Sequence, residues 1–85
     1  MIVGKVITAG GKGLKPQIIV TSTSGSTIDI LQDSSIVQTY TLGASETSHT
    51  FVVKTGTYTV RKTISGTVTS TTVSVDTIAQ YSITI

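Results

Sequence analysis

The feature that most restricts this chain is a two-residue alternation of apolar with hydroxyl or charged side chains, restarted repeatedly after short Gly, Ser and Asp clusters. Ile28 and Ile30 share one parity against Thr27 and Asp29; Tyr58, Val60 and Lys62 share one against Thr57, Thr59 and Arg61; Tyr81, Ile83 and Ile85 share one against Ser82 and Thr84. Successive side chains of an extended strand point to opposite faces, so each run describes a strand with one buried face. Val, Ile and Thr account for 39 of the 85 residues, and their branched Cβ suits pleated backbone while restricting χ1 in a helix. Ala, Leu, Met, Glu, Lys, Arg and Gln together number only 18. They are too scattered for a helix-dominated fold, and no window keeps a 3.6-residue period.

Along the chain, Ile2 to Thr8 reads as a first strand and Ala9 to Pro16 as a glycine-rich connection. Gln17 to Ser22 follows, then the turn Ser24-Gly25-Ser26 and a strand from Thr27 to Gln32. Asp33-Ser34 is expected to close a hairpin with the alternating set Ile36, Gln38, Tyr40 and Leu42. After a break at Gly43 to Ser48, Thr50 to Lys54 carries Phe51 and Val53 on one face, and Thr55-Gly56 and Ser65-Gly66 bound the strand holding Tyr58. Between Val68 and Val73 the apolar parity changes, which predicts a bulge or bend that lets Thr67 to Val75 serve both sheets. Asp76-Thr77 is the last turn. Seven or eight strands at turn spacings of about 8 to 12 residues predict an all-β fold, a small antiparallel β-sandwich of about seven strands. Its length suits one domain spanning residues 1–85. Phe51, Tyr58 and Tyr81 are expected in the core, and Gly56 and Gly66 at positive φ in turns.

Charge excludes several functions. The net charge is +2 and 12% of residues are charged, whereas a nucleic-acid surface concentrates Lys and Arg among stacking aromatics. Tyr40, Phe51, Tyr58 and Tyr81 are the only aromatics, and none lies in a basic cluster. Residues 1–25 carry Lys5, Lys12 and Lys15 without an acid, and residues 26–50 carry Asp29, Asp33 and Glu46 without Lys or Arg. Such a dipole would orient head-to-tail association; the plainer reading is a solvated mixture of loops. Gly4 and Lys5 interrupt the only candidate leader. The run Ile18-Ile19-Val20 falls far short of the roughly 18 residues a spanning helix needs, so no membrane insertion is expected. Without Cys there is neither a disulfide framework nor a thiolate metal site.

No catalytic constellation emerges. His49 is the only histidine, and its polar surroundings from Ser45 to Thr50 describe a solvated loop residue rather than the base of a triad. Asp29 and Asp33 are too few for a cation cage, so neither metal nor cofactor is expected. Gly10, Gly11 and Gly13 bracket Lys12 as if to cradle a phosphate. However, Pro16 stands where a dinucleotide fingerprint needs its last Gly, Lys12 precedes Gly13 rather than Ser or Thr, and no helix follows. The plainer reading is a mobile connection. As an interaction loop, Gly10, Gly11, Lys12, Gly13, Leu14 and Lys15 would order against an acidic neighbour, such as the Asp29–Asp33 region of another copy.

The closing residues are more specific. Phe51-Val52-Val53-Lys54-Thr55-Gly56-Thr57-Tyr58-Thr59-Val60, then Ser65-Gly66, Val73-Ser74-Val75 and Tyr81-Ser82-Ile83-Thr84-Ile85, resemble the ending of carboxypeptidase-regulatory-like and PEGA-like β-sandwich modules. An apolar strand there leads into Gly-x-Tyr-x-Val, a glycine turn and two alternating strands. The likeness is closest to the Thr/Ser-rich versions in bacteriophage and prophage structural proteins. It covers residues 50–85 well, and the first half in character only. It implies an Ig-like or prealbumin-like sandwich without enzymatic activity that decorates a tail, fibre or capsid. The implied partners are its own copies, as a homo-oligomer, or a larger phage structural protein, and the implied location is the virion. No catalytic residue transfers. The alternative is an adhesion module at a cell surface or outside the cell, binding carbohydrate or a surface polymer. Such sites use exposed aromatic platforms with neighbouring amides or carboxylates, and this chain has no Trp, no Asn and four aromatics.

Overall fold

The computed structural model describes residues 2–7 and 15–85, and among these it contains strands and turns with no helix. The strands are β1 (Ile2–Ile7), β2 (Gln17–Thr21), β3 (Thr27–Gln32), β4 (Ser35–Thr41), β5 (Ser48–Val52), β6 (Gly56–Ile64), β7 (Thr67–Val75) and β8 (Ala79–Thr84). They form two four-stranded sheets in the orders β1-β8-β2-β5 and β4-β3-β6-β7. The all-β sandwich expected from the alternation is what forms. One pairing departs from a purely antiparallel arrangement: β2 runs parallel to β8, from Gln17 opposite Gln80 to Thr21 opposite Thr84.

The alternating residues meet between the sheets. Ile18 and Val20 of β2 and Tyr81 and Ile83 of β8 face Ile28 and Ile30 of β3 and Tyr58 and Val60 of β6, all buried. Each such side chain contributes about 1.5–3 kcal/mol relative to leaving it in water. The two tyrosines also satisfy their hydroxyls at the margin of the core. Tyr58 donates to the Lys54 carbonyl at 2.8 Å. Tyr81 donates to Asp76 Oδ1 at 2.8 Å and accepts the amide of Asp76 at 3.1 Å, pinning the turn before β8.

Two expectations about strand irregularity are corrected. β7 does not pass from one sheet to the other: it pairs with β6 in an unbroken register from Gly56–Val75 to Ile64–Thr67. Its change of parity has a simpler origin. Val73 and Val75 lie on the face that covers the core, while Val68, 58% exposed, stands with Ser70, Thr72 and Ser74 on the outward face of the same unbroken strand. The irregularity is in β4 instead. Ile30 pairs with Gln38 but Leu31 with Ile36, so Val37 is an extra residue on β4, a bulge. The single inward face expected for Ile36, Gln38, Tyr40 and Leu42 is therefore broken, and Ile36 is exposed.

The hairpins β3–β4 and β6–β7 each close through two residues with positive φ, Asp33 (51°) with Ser34 (67°) and Ser65 (49°) with Gly66 (76°). That backbone matches the right-handed twist of the flanking strands.

Candidate functional site

The outer strands β4 and β5 belong to opposite sheets and meet along one side of the sandwich, where side chains lace the gap. Gln38 of β4 donates through Nε2 to the Val52 carbonyl of β5. The Tyr40 ring stacks on His49 with centroids 3.6 Å apart and an 8° tilt, and His49 meets the edge of Phe51 at 4.7 Å. His49 is thus not a solvated loop residue. It lies on β5 opposite Val20, and its parity is that of the buried Phe51, a signal masked by the hydroxyl residues around it.

Glu46 anchors the same cluster. The Tyr40 hydroxyl lies 2.7 and 2.9 Å from its two carboxylate oxygens, and the Gly43 amide donates to Oε1 at 2.8 Å. The bond from Tyr40, followed by that from Gly43, holds the Glu46 pKa below its ordinary value. The same bond raises the Tyr40 pKa, because the phenol proton is shared with a carboxylate.

Beside this belt opens a cleft of about 290 Å³. The bulged Val37, with Val52, Val53 and Tyr58, supplies its apolar wall, and Lys15 and Lys54 contribute the charge. No carboxylate lines it. Of its wall, Val37 and Val52 are each about half exposed, at 48% and 49%, and the neighbouring Ile36 of β4 is 53% exposed. The arrangement suits an apolar ridge accompanied by an anionic group. It holds no nucleophile with an adjacent base, and among the described residues no group of three or more His, Cys, Asp or Glu could hold a metal ion.

Of the candidate interaction loop, Gly10, Gly11, Lys12, Gly13 and Leu14 lie outside the described residues. Lys15 is exposed and lines the cleft beside Lys54, a conjunction that sequence spacing does not reveal. Of the acidic region expected to receive that loop, Asp33 stands exposed in the β3–β4 turn, whereas Asp29 is enclosed. Asp29 is buried, with Arg61 Nη2 at 2.9 Å from Oδ2 and Thr39 Oγ1 donating to Oδ1 at 2.6 Å. Asp29 has its charge offset by Arg61, while Glu46, held by the neutral donors Tyr40 and Gly43, keeps its charge. The cleft did leave a trace in the sequence: Ile36-Val37 and Val52-Val53 are apolar doublets, and in a strand of period two one member of each must point away from the core.

No family model, characterised protein or solved structure matches this chain.

Proposed function

We propose that this chain is a non-enzymatic structural component of a virion, decorating a tail, fibre or capsid of the kind its closing strands resemble, and that it works by docking on a larger structural protein and on its own copies. The observation that carries this reading is the exposed pair Val37 and Val52 in the wall of the lysine-flanked cleft, with exposed Ile36 next along β4. Aliphatic groups gathered at one edge of a sparsely charged domain mark a contact surface. Lys15 and Lys54 favour a protein neighbour that offers an apolar ridge next to carboxylates. Carbohydrate binding is less well supported: Phe51, Tyr58 and Tyr81 are buried, and Tyr40 is stacked on His49, so no open aromatic platform stands among the described residues.

The test is density-gradient fractionation of the organism that encodes the chain, read with an antibody against it. The reading requires the chain to band with assembled particles at a fixed ratio to their main protein, and to leave them when Val37 and Val52 are replaced by Lys. Recovery only as free chain, or retention only on a polysaccharide resin, overturns it.

A further inference from the structure

β7 is an outer strand nine residues long, a span of roughly 30 Å. One row of its backbone groups pairs with β6, and the other row of alternating N–H and C=O faces out of the sheet. Native sheets blunt such an edge with charge, proline, a bulge or shortness. β7 uses none of these. Thr67 to Val75 contains no Lys, Arg, Asp, Glu or Pro, its register is unbroken, and Val68, Ser70, Thr72 and Ser74 are exposed along one face. The opposite outer strand of the same sheet is handled differently: β4 has seven residues, is bulged at Val37 and is tied to β5 through Gln38 and Tyr40.

We propose that β7 is a self-association surface, on which a second copy of this chain pairs its own β7 antiparallel about a two-fold axis near Thr71, joining two four-stranded sheets into one of eight strands. A second copy fits because such an axis sets Ser70 opposite Thr72 and Thr69 opposite Val73. These are hydroxyl and β-branched pairs that are favourable across strands, and no charge meets its like. Hydroxyl side chains on the exposed face keep the strand from being a general apolar adhesive, so that the backbone row specifies the contact. This interface rests on the assembly reading and gives it one surface, distinct from the cleft at β4 and β5.

The experiment compares the purified full chain with a Ser70→Lys/Thr72→Lys variant by sedimentation velocity over a range of concentrations, with Thr50→Lys, an exposed position on β5 outside the cleft, as a control. The expected result is a concentration-dependent dimer for the parent and for Thr50→Lys, and a dissociation constant raised about tenfold or more for the double variant, about 1.4 kcal/mol or more. Circular dichroism confirms that the variants fold. If the double variant is unfolded, amide exchange of the parent decides: protection of alternate β7 amides must grow with concentration. A parent that stays monomeric, a double variant that dimerises equally well, or β7 protection that ignores concentration overturns the interface. Particle association would then still be judged by its own gradient experiment.

Discussion

Arg61 and Asp29 stand directly opposite each other on β6 and β3, joined by guanidinium bonds of 2.9 and 3.2 Å to a single carboxylate oxygen while Thr39 supplies the other. The carboxylate side chain is 10% exposed and the guanidinium side chain 35%, so the acid depends on its partners more than the base does. Arg61→Gln should destabilise the fold by about 1 kcal/mol, toward the low end for a charged hydrogen bond because solvent reaches the guanidinium. Thr39→Ala added to it should cost more than the sum of the two single changes, since Asp29 then loses both donors. Urea midpoints of the three variants check this.

Tyr58→Ala should cost about 3–5 kcal/mol, the range for deleting a large buried aromatic. Tyr58→Phe should cost about 1 kcal/mol, because it removes only the bond to the Lys54 carbonyl. An unchanged melting temperature for Tyr58→Ala would contradict the core assignment.

The β3–β4 turn holds Ser34 at φ 67°, a conformation that costs an L-residue roughly 1–2 kcal/mol and glycine little. Ser34→Gly should therefore stabilise the protein by about 0.5–1 kcal/mol, creating the Asp-Gly pair that such turns prefer. Gly66→Ala, at φ 76° in the corresponding turn, should do the reverse. The pair of thermal melts should shift in opposite directions.

The Tyr40–Glu46 bond makes stability depend on pH at both extremes. A lowered Glu46 pKa means a contribution present above the ordinary value of 4.5 and lost as pH falls through the lowered one. A raised Tyr40 pKa means a contribution present below 10.0 and lost as pH rises through the raised one. The melting-temperature advantage of the parent over Tyr40→Phe should accordingly be level between those two values and shrink outside them on both sides.

What the sequence revealed follows from which forces are local. Strand β3 appears at its expected bounds because Ile28 and Ile30 alternate cleanly and Asp33-Ser34 can adopt left-handed backbone. Phe51, Tyr58 and Tyr81 are buried as expected, because parity and size agree. The bulge was misplaced because a parity change in sequence has two causes, an inserted residue or an apolar residue on the outward face, and only the strand pairing distinguishes them. Val68 belongs to the second case and Val37 to the first. The parallel pairing of β2 with β8 joins residues about sixty positions apart, and no local signal encodes it. The cleft draws Lys15, Gln38 and Lys54 from three separate segments, so only the doublets Ile36-Val37 and Val52-Val53 hinted at it.

Strand β8 lies between β1 and β2, so the latest made of these eight strands is the one that holds its sheet together. Until Ala79–Thr84 has emerged, β1 lacks its sheet neighbour, and β2 can pair only with β5. The sheet formed by β3, β4, β6 and β7 needs no residue beyond Val75 and can close before β8 pairs. Its inner face must wait for cover, leaving a nascent chain with one finished sheet and an uncovered apolar face. The uncharged edge at β7 is present on that intermediate too, so two copies at that stage can meet through it before β8 has joined its own sheet.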